Sequence, residues 1–572
     1  MEKIIKLKAL LKKEKVDGYL IPKNDEFFSE YTTKHFDRLN YITNFSGSSG
    51  FSLVLKDKKY LFVDGRYTLQ ANDQSGKIFK VMTIPKQMPK KILKNKNYII
   101  GFDPKLYTKK TFKIFFNNSD CKFKPIEKNL IDQIWKRKIK KNYNKFYTLP
   151  KNSIGENFQE KIKKVSSYLK KKDADFILIT ASENAAWLLN IRGRDSKYSP
   201  IPNCYVLISK DKKISFFCDL RKMSLSLKKY LNKIQVKEII HTGTILSQIK
   251  DKKFIVDRNT CSIYFEKLIL KNNKILDFVD PIYSLKAIKN KIEIENTKKV
   301  HIYDGVALTK FLFWIKKNIK KRKITELSAA RKLFQLRKKN KKFKFLSFPT
   351  ISGTGSNGAI IHYNPTKITN KVLNGGDVYL VDSGGQYEYG TTDVTRTISL
   401  NRVNKRIKNI FTRVLKGHIA VSNFKLKKNS TGSVIDSKAR KYLKQIGLNY
   451  SHGTGHGVGY FLNVHEGPQA ISKNNKIRFE EGMILSNEPG YYEKNKFGIR
   501  IENLIYVKRK KNKNYFENLT LVPIDKDLIN PNLLSKIEKN WLDVYHDKVF
   551  NVLKSFMNTT EIKDLKKACS TI

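Results

Sequence analysis

Long apolar runs are absent from this 572-residue chain. No apolar stretch approaches the roughly 20 residues that cross a bilayer, so we expect neither a membrane-spanning helix nor a membrane partner. The N-terminus interleaves lysine with apolar residues at helical spacing, and it lacks the apolar core and cleavage site of a secretory signal peptide. This pattern predicts an amphipathic first helix.

Cysteine is also scarce. The five cysteines are scattered, odd in number and never form a CxxC pair: Cys121, Cys204, Cys218, Cys261 and Cys569. This usage argues against a disulfide framework and against a structural zinc cluster. We therefore expect free thiols and a cytoplasmic location.

Acidic residues are outnumbered by basic ones, 51 against 114, which gives a formal net charge of +63. Such a charge is typical of proteins that bind nucleic acid or anionic membranes. The lysines are, however, spread along the chain among many Asn and Ile residues, without a recognition helix, zinc finger or aromatic nucleic-acid motif. A genome rich in A and T would give the same composition. We therefore expect no specific nucleic-acid partner, and only weak, salt-sensitive binding to polyanions.

Length and pattern divide the chain into three predicted domains, because 572 residues exceed one ordinary core. Residues 1–145 and 146–282 each alternate helix and strand signals, without a visible sequence repeat. A basic stretch over 138–151 predicts a linker between them. Residues 283–572 begin with a long amphipathic helix, predicted over 286–315, and contain every candidate site residue. The predicted fold class is α/β (α+β).

The first site motif contains two β-rich runs, which start at Val378 and at Thr391 and flank a glycine-rich turn. They predict a strand pair. Asp382 lies near the end of the first run and Asp393 near the start of the second, so pairing would bring the two carboxylates together. They would repel unless a cation or a proton lay between them. The plainer interpretation is that both aspartates cap turns beside glycine.

The second motif is a cluster of histidines. His452 and His456 are four residues apart, but glycines alternate between and after them, which argues against a helical zinc site. In an extended segment the two side chains still share one face, so that one can bind metal while the other contacts substrate. His465 follows, which places three of the nine histidines within fourteen residues. A surface or core role explains such a cluster poorly.

Two more carboxylates follow apolar strand patterns. Glu488 closes an apolar run just before Pro-Gly, where it needs a partner because an unpaired buried charge is costly. A metal would supply that partner. Arg500 and Glu502 alternate with isoleucines and so share one strand face. A structural ion pair is the plainer interpretation of that pattern.

The fourth motif is a GxGxxG sequence at 353–358. The residues after it, Ala359 to Tyr363, predict a strand instead of the helix that a dinucleotide site needs, so we reject nucleotide binding. His362, near the end of the predicted strand, is a candidate donor to a developing oxyanion.

These motifs together supply four carboxylates and one imidazole: Asp382, Asp393, His456, Glu488 and Glu502. Such a set suits a pair of hard divalent cations. Carboxylates can bridge two metals, and water held between the metals ionises near neutral pH. The sequence therefore predicts the active site of a metallohydrolase.

The motifs, in this order, resemble the aminopeptidase P group of the "pita-bread" (M24B) metallopeptidases. The resemblance extends to Phe62–Tyr67, Ala186–Gly193 and Phe516–Pro523, which match the long, three-domain cytosolic form. It implies two creatinase-like α/β domains followed by a pita-bread catalytic domain, and a homodimer. It also implies hydrolysis of the N-terminal Xaa-Pro bond of peptides with proline at the second position, by attack of a metal-bridging hydroxide.

The resemblance further implies two Mn2+ ions per subunit, bound by the five residues named above, with Asp393 and Glu502 bridging. A hard, oxygen-rich shell favours Mn2+ over a thiolate-type zinc site, although Zn2+ or Co2+ could occupy it. Glu488 would also handle the proton of the attacking hydroxide. Substrate binding and stabilisation of the tetrahedral intermediate fall to three histidines, His362, His452 and His465. Arg500 and Tyr492 match positions that contact the substrate or support the ligands.

Two alternatives stay open. A prolidase shares the fold and the metals but cleaves only Xaa-Pro dipeptides, and a substrate-length series separates it from an aminopeptidase. A non-enzymatic binding protein on the same fold is the other alternative. Such a protein should lack ligand residues, whereas all five ligand positions are filled here.

Overall fold

The structure, a computed structural model, describes residues 2–137, 143–374, 378–400, 403–427 and 429–572. The chain forms two compact units: a first unit of Met1–Lys151 with Glu156–Tyr283, and a second unit of Asn152–Gly155 with Ser284–Ile572. Within the described ranges, no helix combines the length and the apolar character needed to cross a bilayer. All five cysteines are free thiols, as predicted.

The first half of the first unit is built on a six-stranded sheet with the order β4-β3-β2-β1-β5-β6. The first helix buries Ile4, Leu7 and Leu11, which confirms the predicted amphipathic helix. Its elements are α1 (Glu2–Lys13), β1 (Gly18–Pro22), α2 (Arg38–Thr43), β2 (Phe51–Leu55), β3 (Lys59–Asp64), α3 (Thr68–Ser75), β4 (Lys80–Ile84), α4 (Pro89–Leu93), β5 (Ile99–Phe102), α5 (Lys109–Phe116), β6 (Lys122–Pro125) and α6 (Leu130–Ile134).

The second half contains another six-stranded sheet, with the order β12-β11-β10-β8-β13-β14. Of the predicted basic linker over 138–151, residues 138–142 lie outside the described residues, and the part that follows includes a strand, β7. The elements are β7 (Tyr147–Thr148), α7 (Lys151–Ile154), α8 (Phe158–Lys171), β8 (Phe176–Ile179), α9 (Ser182–Leu188), β9 (Ile191–Arg192), β10 (Cys204–Ser209), β11 (Ile214–Cys218), α10 (Leu225–Tyr230), β12 (Gln235–Glu238), α11 (Thr242–Gln248), β13 (Lys253–Val256), α12 (Ile263–Leu270) and β14 (Lys274–Asp277).

The two sheets share one topology. In each, three antiparallel strands are extended by parallel strands on both sides. Asp17 and Asp175 occupy equivalent places, each just before the first strand of its sheet. Each accepts a 2.9 Å hydrogen bond from the backbone N–H that opens the neighbouring parallel strand, at Ile99 and at Lys253. The halves are therefore structural duplicates, although their sequences show no repeat.

The second unit is a mixed α/β structure that contains all candidate site residues. Its sheets have the orders β16-β17-β20, β22-β21-β23-β26-β27, β15-β18-β19 and β24-β25. The elements, of which α13 begins in the first unit, are α13 (Ile282–Ala287), α14 (Lys291–Asn318), α15 (Glu326–Lys338), β15 (Phe343–Leu346), β16 (Ile351–Thr354), β17 (Val378–Ser383), β18 (Gly385–Tyr387), β19 (Gly390–Thr391), β20 (Val394–Ser399), α16 (Lys405–Ser422), α17 (Gly432–Lys444), β21 (Gly455–Gly457), β22 (Glu466–Ile471), β23 (Ile484–Asn487), β24 (Gly490–Glu493), β25 (Phe497–Arg500), β26 (Asn503–Lys510), β27 (Lys513–Asn518), α18 (Lys536–Leu553) and α19 (Thr559–Cys569).

The single helix predicted over 286–315 is wrong at its start. The chain forms two helices there, and α14 begins only at Lys291, because Asn290 caps it in a reciprocal capping box with Glu293. Between the helices, Ile288 forms an antiparallel bridge with Met483. The apolar periodicity continues across the break, which is why the pattern alone did not show it.

Candidate metal centre

The first two candidate ligands lie on neighbouring strands. β17 and β20 are antiparallel and place Asp382 opposite Thr395, and Asp393 immediately precedes β20. Val394 packs into the core beneath this sheet, so Asp393 and Thr395 face the other way, as their alternation predicts. The predicted strand pair is confirmed, and both aspartates are buried.

The other three candidate ligands come from the five-stranded sheet and its ends. His456 is central in β21, Glu488 follows β23, and Glu502 precedes β26. The histidine segment is extended, not helical, as the glycines predicted. The backbone N–H of Glu488 donates to the Thr454 carbonyl at 2.8 Å, and that of Glu502 donates to the Thr395 carbonyl at 3.2 Å. The second contact ties Glu502 to β20.

These elements converge on one point. Asp393, His456 and Glu502 each offer a ligand atom, and the three atoms lie within 4.8 Å of one another. His456 Nε2 lies 3.6 Å from Asp393 Oδ2 and 3.4 Å from Glu488 Oε1. Residues far apart in the sequence thus form a compact group of carboxylates around one imidazole.

The carboxylates of this group repel one another, so positive charge would stabilise their ionised forms. Burial raises the pKa of both Asp393 and Glu502 well above the ordinary carboxyl range. Neighbouring carboxylates raise these pKa values further, Asp382 and Glu488 for the former, and Asp393 and Glu488 for the latter. Each added negative charge opposes ionisation of the next, and a divalent cation removes that penalty.

Asp382 has a free oxygen in this group. Its Oδ2 accepts a 2.6 Å hydrogen bond from Arg500 Nη2. Its Oδ1 is buried and has no hydrogen-bond partner among the described residues. Buried oxygens are normally paired, and an unpaired carboxylate oxygen beside three other carboxylates is a suitable donor to a hard cation. The residues present therefore fit divalent metal ions.

Arg500 connects two of the carboxylates. It is 1% exposed. Besides Asp382, its guanidinium donates from Nη1 to Tyr492 Oη at 2.6 Å and from Nε to Thr395 Oγ1 at 3.0 Å. The Thr395 hydroxyl in turn donates to Glu502 Oε2 at 2.7 Å. The alternative of a simple Arg500–Glu502 ion pair is therefore not what forms, since Thr395 lies between them.

His452 and His465 contact residues in or next to this group. His452 Nε2 lies 2.9 Å from Tyr492 Oη, which joins it to Arg500. The rings of His456 and His465 meet edge to face, with their centroids 4.3 Å apart. His362 adjoins Ile361, whose carbonyl accepts a 3.4 Å hydrogen bond from Arg500 Nη2.

The strand predicted over 359–363 is wrong. A 3-10 helix, Gly355–Ala359, and a turn occupy this segment. The physical reason is that Asn357 and Tyr363 donate side-chain hydrogen bonds to the buried Glu326 carboxylate, which holds the chain in a compact turn. The segment forms no strand, although its apolar residues are typical of one.

Sequence reasoning missed two polar residues that support the ligands. Alternation along β20 puts Thr395 on the same face as Asp393, but the sequence alone indicates no role for it. Ser486 accepts a hydrogen bond from the His456 backbone N–H at 3.0 Å and donates to Glu488 Oε1 at 3.0 Å. Its position two residues before Glu488, on the same strand face, was the available signal.

Family models cover almost the whole chain. "Creatinase/Prolidase N-terminal domain" models match residues 3–134 and 137–293, "Metallopeptidase family M24" matches 295–509, and "C-terminal region of peptidase_M24" matches 514–572. The fold and the site thus define a metallopeptidase of the M24 class, with two creatinase-type N-terminal domains before a pita-bread domain.

Individual relatives narrow the class. A probable Xaa-Pro aminopeptidase P from Laccaria bicolor is 37% identical over 604 residues, which span 100% of this chain and 93% of the relative. Xaa-Pro aminopeptidase 1 from Dictyostelium discoideum is 36% identical, over 99% of this chain and 95% of the relative. The chain belongs to the Xaa-Pro aminopeptidase P family, as the resemblance indicated.

A solved structure agrees with this assignment. The X-prolyl aminopeptidase from Caenorhabditis elegans, described as a cytosolic enzyme with a di-nuclear active site, superimposes with a TM-score of 0.95 at 30% identity. The match covers 100% of this chain and 99% of that chain. The predicted fold class and the assignment as a metallopeptidase are confirmed.

Proposed function

We propose that this enzyme removes the N-terminal residue from peptides whose second residue is proline. The observation that carries the proposal is the group of Asp393, His456 and Glu502, whose candidate ligand atoms lie within 4.8 Å of one another. It occurs in a chain that resembles Xaa-Pro aminopeptidases over its full length. Proline-containing peptides are the proposed substrates.

We propose that the group holds two Mn2+ ions per subunit. Asp393 and Glu502 would bridge the ions, and Asp382, His456 and Glu488 would complete the ligand set. The oxygen-rich donors favour Mn2+, with Zn2+ or Co2+ as alternatives. When bound, such cations polarise a scissile carbonyl and lower the pKa of water towards neutrality.

Glu488 is the proposed general base. Its Oε1 is held by the Ser486 hydroxyl at 3.0 Å and lies 3.4 Å from His456 Nε2, at the rim of the buried group. The Glu488 side chain is 17% exposed, more than that of Asp393 at 6%. It can therefore take a proton from water and pass it to the departing amine.

The histidines are proposed to handle the substrate. His452 is oriented through Tyr492 and Arg500, which fixes its Nε2 as one end of a hydrogen-bonded chain that reaches Asp382. His362 and His465 are proposed to bind the substrate and to donate to the oxyanion.

Replacing Tyr492 by Phe should lower kcat about 10-fold with the metal content unchanged. The change removes the hydroxyl that lies 2.9 Å from His452 Nε2 and 2.6 Å from Arg500 Nη1, but it keeps the ring. Misorientation of one catalytic group typically costs one to two orders of magnitude. Steady-state kinetics would measure it, with Tyr491→Phe in the same strand as control. An unchanged kcat would contradict the proposal that Tyr492 orients His452.

The test of the function is a substrate series. Purified, Mn2+-loaded protein should release the first residue from an Xaa-Pro-Pro tripeptide but not hydrolyse an Xaa-Ala-Ala tripeptide or an Xaa-Pro dipeptide. Glu488→Gln should lower kcat at least about 10²-fold, because the base is lost. Glu493→Gln, which alters the surface ion pairs of this β24 residue with Lys496 and with Arg406 of α16, should retain activity. Chelation should abolish activity.

Two results would redirect the proposal. Cleavage of the dipeptide alone would make the enzyme a prolidase. Silence on every substrate, with metal bound, would favour a non-enzymatic binding protein on this fold.

We further propose domains at 1–145, 146–282 and 283–572, a homodimer and a cytoplasmic location. The duplicated sheets support the first boundary, and the cytosolic relative from Caenorhabditis elegans supports the location. Size-exclusion chromatography with light scattering would test the dimer.

A further inference from the structure

A buried carboxylate outside the metal centre collects an unusual number of hydrogen bonds. Glu326, the first residue of α15, is 0% exposed. Both of its oxygens are used. The donors are the backbone N–H of Thr354 at 2.9 Å and of Lys371 at 2.9 Å, the Tyr363 hydroxyl at 2.8 Å and Asn357 Nδ2 at 3.0 Å from each oxygen.

All these donors belong to one stretch of chain, Thr354–Lys371, here called the 354–371 segment. Thr354 ends β16 and a 3-10 helix follows it, and the rest of the segment consists of turns and irregular backbone. Its C-terminal end is also joined to Glu326 by the backbone, because the Glu326 N–H donates to the Lys371 carbonyl at 3.0 Å. The contacts with Glu326 therefore help to hold its path, together with hydrogen bonds inside the segment from Asn357 and Tyr363 to the Thr369 carbonyl.

Helix capping does not explain this carboxylate. Thr325 and Ser328 already form a complete reciprocal cap at the start of α15. The first turn of a helix favours negative charge, which offsets part of the cost of burying Glu326. Burial raises the pKa of Glu326, whereas the backbone N–H groups of Thr354 and Lys371 lower it. The Glu326 carboxylate is therefore not needed for the helix cap, and it can accept hydrogen bonds from the 354–371 segment.

His362 lies inside this segment, between two anchors. On one side, the Ile361 carbonyl accepts from Arg500 Nη2 at 3.4 Å. On the other side, Tyr363 is 4% exposed and donates to Glu326. The Tyr363 ring packs with Ile351 and Leu380 of the adjacent strands. The backbone at His362 is thus fixed by charged groups on both sides.

We propose that Glu326 is a positioning residue that sets the location of His362 for the reaction by binding the 354–371 segment. This inference rests on the proposed function, in which His362 contacts the substrate. Among the described residues, the hydrogen bonds to the Glu326 carboxylate come from the 354–371 segment and not from the candidate metal ligands. Glu326 therefore acts through His362.

The test is a double-mutant cycle with Glu326→Gln and His362→Ala. In Glu326→Gln, the new NH2 group faces hydrogen-bond donors of the 354–371 segment instead of offering them an acceptor. The segment must therefore shift. We expect kcat on the Xaa-Pro-Pro tripeptide to fall about 10- to 100-fold, with KM changed less than about 3-fold and metal content unchanged. In the His362→Ala background, the same Glu326→Gln change should lower kcat less than about 2-fold, because the two residues act as a unit.

Controls separate positioning from stability. Glu538→Gln changes another buried first-turn glutamate, in the cap of α18, and should leave kcat unchanged in both backgrounds. Tyr363→Phe removes the hydroxyl that donates to Glu326 and also contacts Asn357 and Thr369. It keeps the other donors to Glu326, so it should show the same coupling to His362 at a smaller amplitude, and it replaces Glu326→Gln in the cycle if that variant fails to fold.

The outcomes are distinct. Effects of Glu326→Gln and His362→Ala that multiply, or an unchanged kcat in Glu326→Gln, would overturn the inference while leaving the proposed function intact. Failure of the wild-type enzyme to hydrolyse the tripeptide would refute the proposed function and the inference with it.

Discussion

Replacement of Asp393 by Asn should lower kcat/KM by at least about 10³-fold, which corresponds to about 4 kcal/mol of transition-state stabilisation. Asp393 lies with His456 and Glu502 at the point where the ligand atoms converge, and asparagine lacks the charge and the second anionic oxygen needed to bridge two cations. The amount of metal retained after dialysis should fall in parallel with activity.

The same substitution should stabilise the metal-free protein. Asp393 is buried among Asp382 and Glu488, and these negative charges oppose its ionisation. Without cations, the folded state therefore contains uncompensated repulsion, and asparagine removes part of it. We expect the melting temperature in chelator to rise by roughly 1–3 °C, whereas in Mn2+ the wild type should be the more stable protein.

Calorimetry with and without chelator, metal analysis and tripeptide hydrolysis would measure these opposite changes. Asp525→Asn is the matched control, because Asp525 is also buried and its pKa is also raised by burial, but it pairs with Lys316. That variant should lose stability in both conditions and keep its metal. Full metal content and activity in Asp393→Asn would contradict the assignment of Asp393 as a ligand.

The sequence predicts the parts of this centre that depend on local periodicity. Alternation from Val378 to Ile398 gave the strand pair of β17 and β20, and the alternating glycines around His456 excluded a helix. Both patterns survive folding because a strand face is fixed by side chains two residues apart. The ligand roles of the five candidates do not follow from this periodicity. They are implied by the family resemblance and stay predictions.

Contacts between distant segments were not predictable in this way. Thr395 and Glu502 are 107 residues apart, yet one hydrogen bond joins them. The turn at 359–363 depends on Glu326, more than thirty residues earlier, and the break before Lys291 depends on a cap that periodicity does not encode. Such features arise from which segments meet in space, and a single sequence does not specify that. The two six-stranded sheets show that structural similarity can also be invisible in the sequence, since they share one topology without a visible sequence repeat.

Replacement of Arg396 by Lys should lower the free energy of unfolding of the second unit by about 3–5 kcal/mol. Arg396 is 1% exposed, and every hydrogen bond from its guanidinium goes to a neutral oxygen. The acceptors are the carbonyls of Thr395, Glu502, Val522 and Pro523, the Asn503 side-chain oxygen and the Tyr545 hydroxyl, at 2.7–3.0 Å. Lysine cannot reach acceptors in so many directions, and those it leaves are buried and unpaired.

Arg396→Lys should also weaken metal binding. Arg396 binds the carbonyls of Thr395 and Glu502, so it holds β20 against the residue that is proposed to bridge the cations. We therefore expect weaker metal retention even at temperatures where Arg396→Lys remains folded. Arg413→Lys is the matched control, since Arg413 is partly buried and its guanidinium donates to the Asn409 side-chain oxygen and to the Tyr442 carbonyl. It should cost less than about 1 kcal/mol.

Urea and thermal unfolding of Mn2+-loaded protein would measure the stability change, and equilibrium dialysis against Mn2+ would measure retention. If the unfolding midpoint of Arg396→Lys equals that of wild type, Arg396 does not stabilise the connection of β20 to Val522, Pro523 and Tyr545. A lower midpoint with unchanged Mn2+ affinity would restrict that role to stability, and would show that Thr395 and Arg500 are enough to hold Glu502 in place. If Arg396→Lys loses both stability and Mn2+ affinity while Arg413→Lys is unaffected, the Arg396 guanidinium supports the candidate ligands through its backbone hydrogen bonds and not through its charge, because lysine keeps the charge.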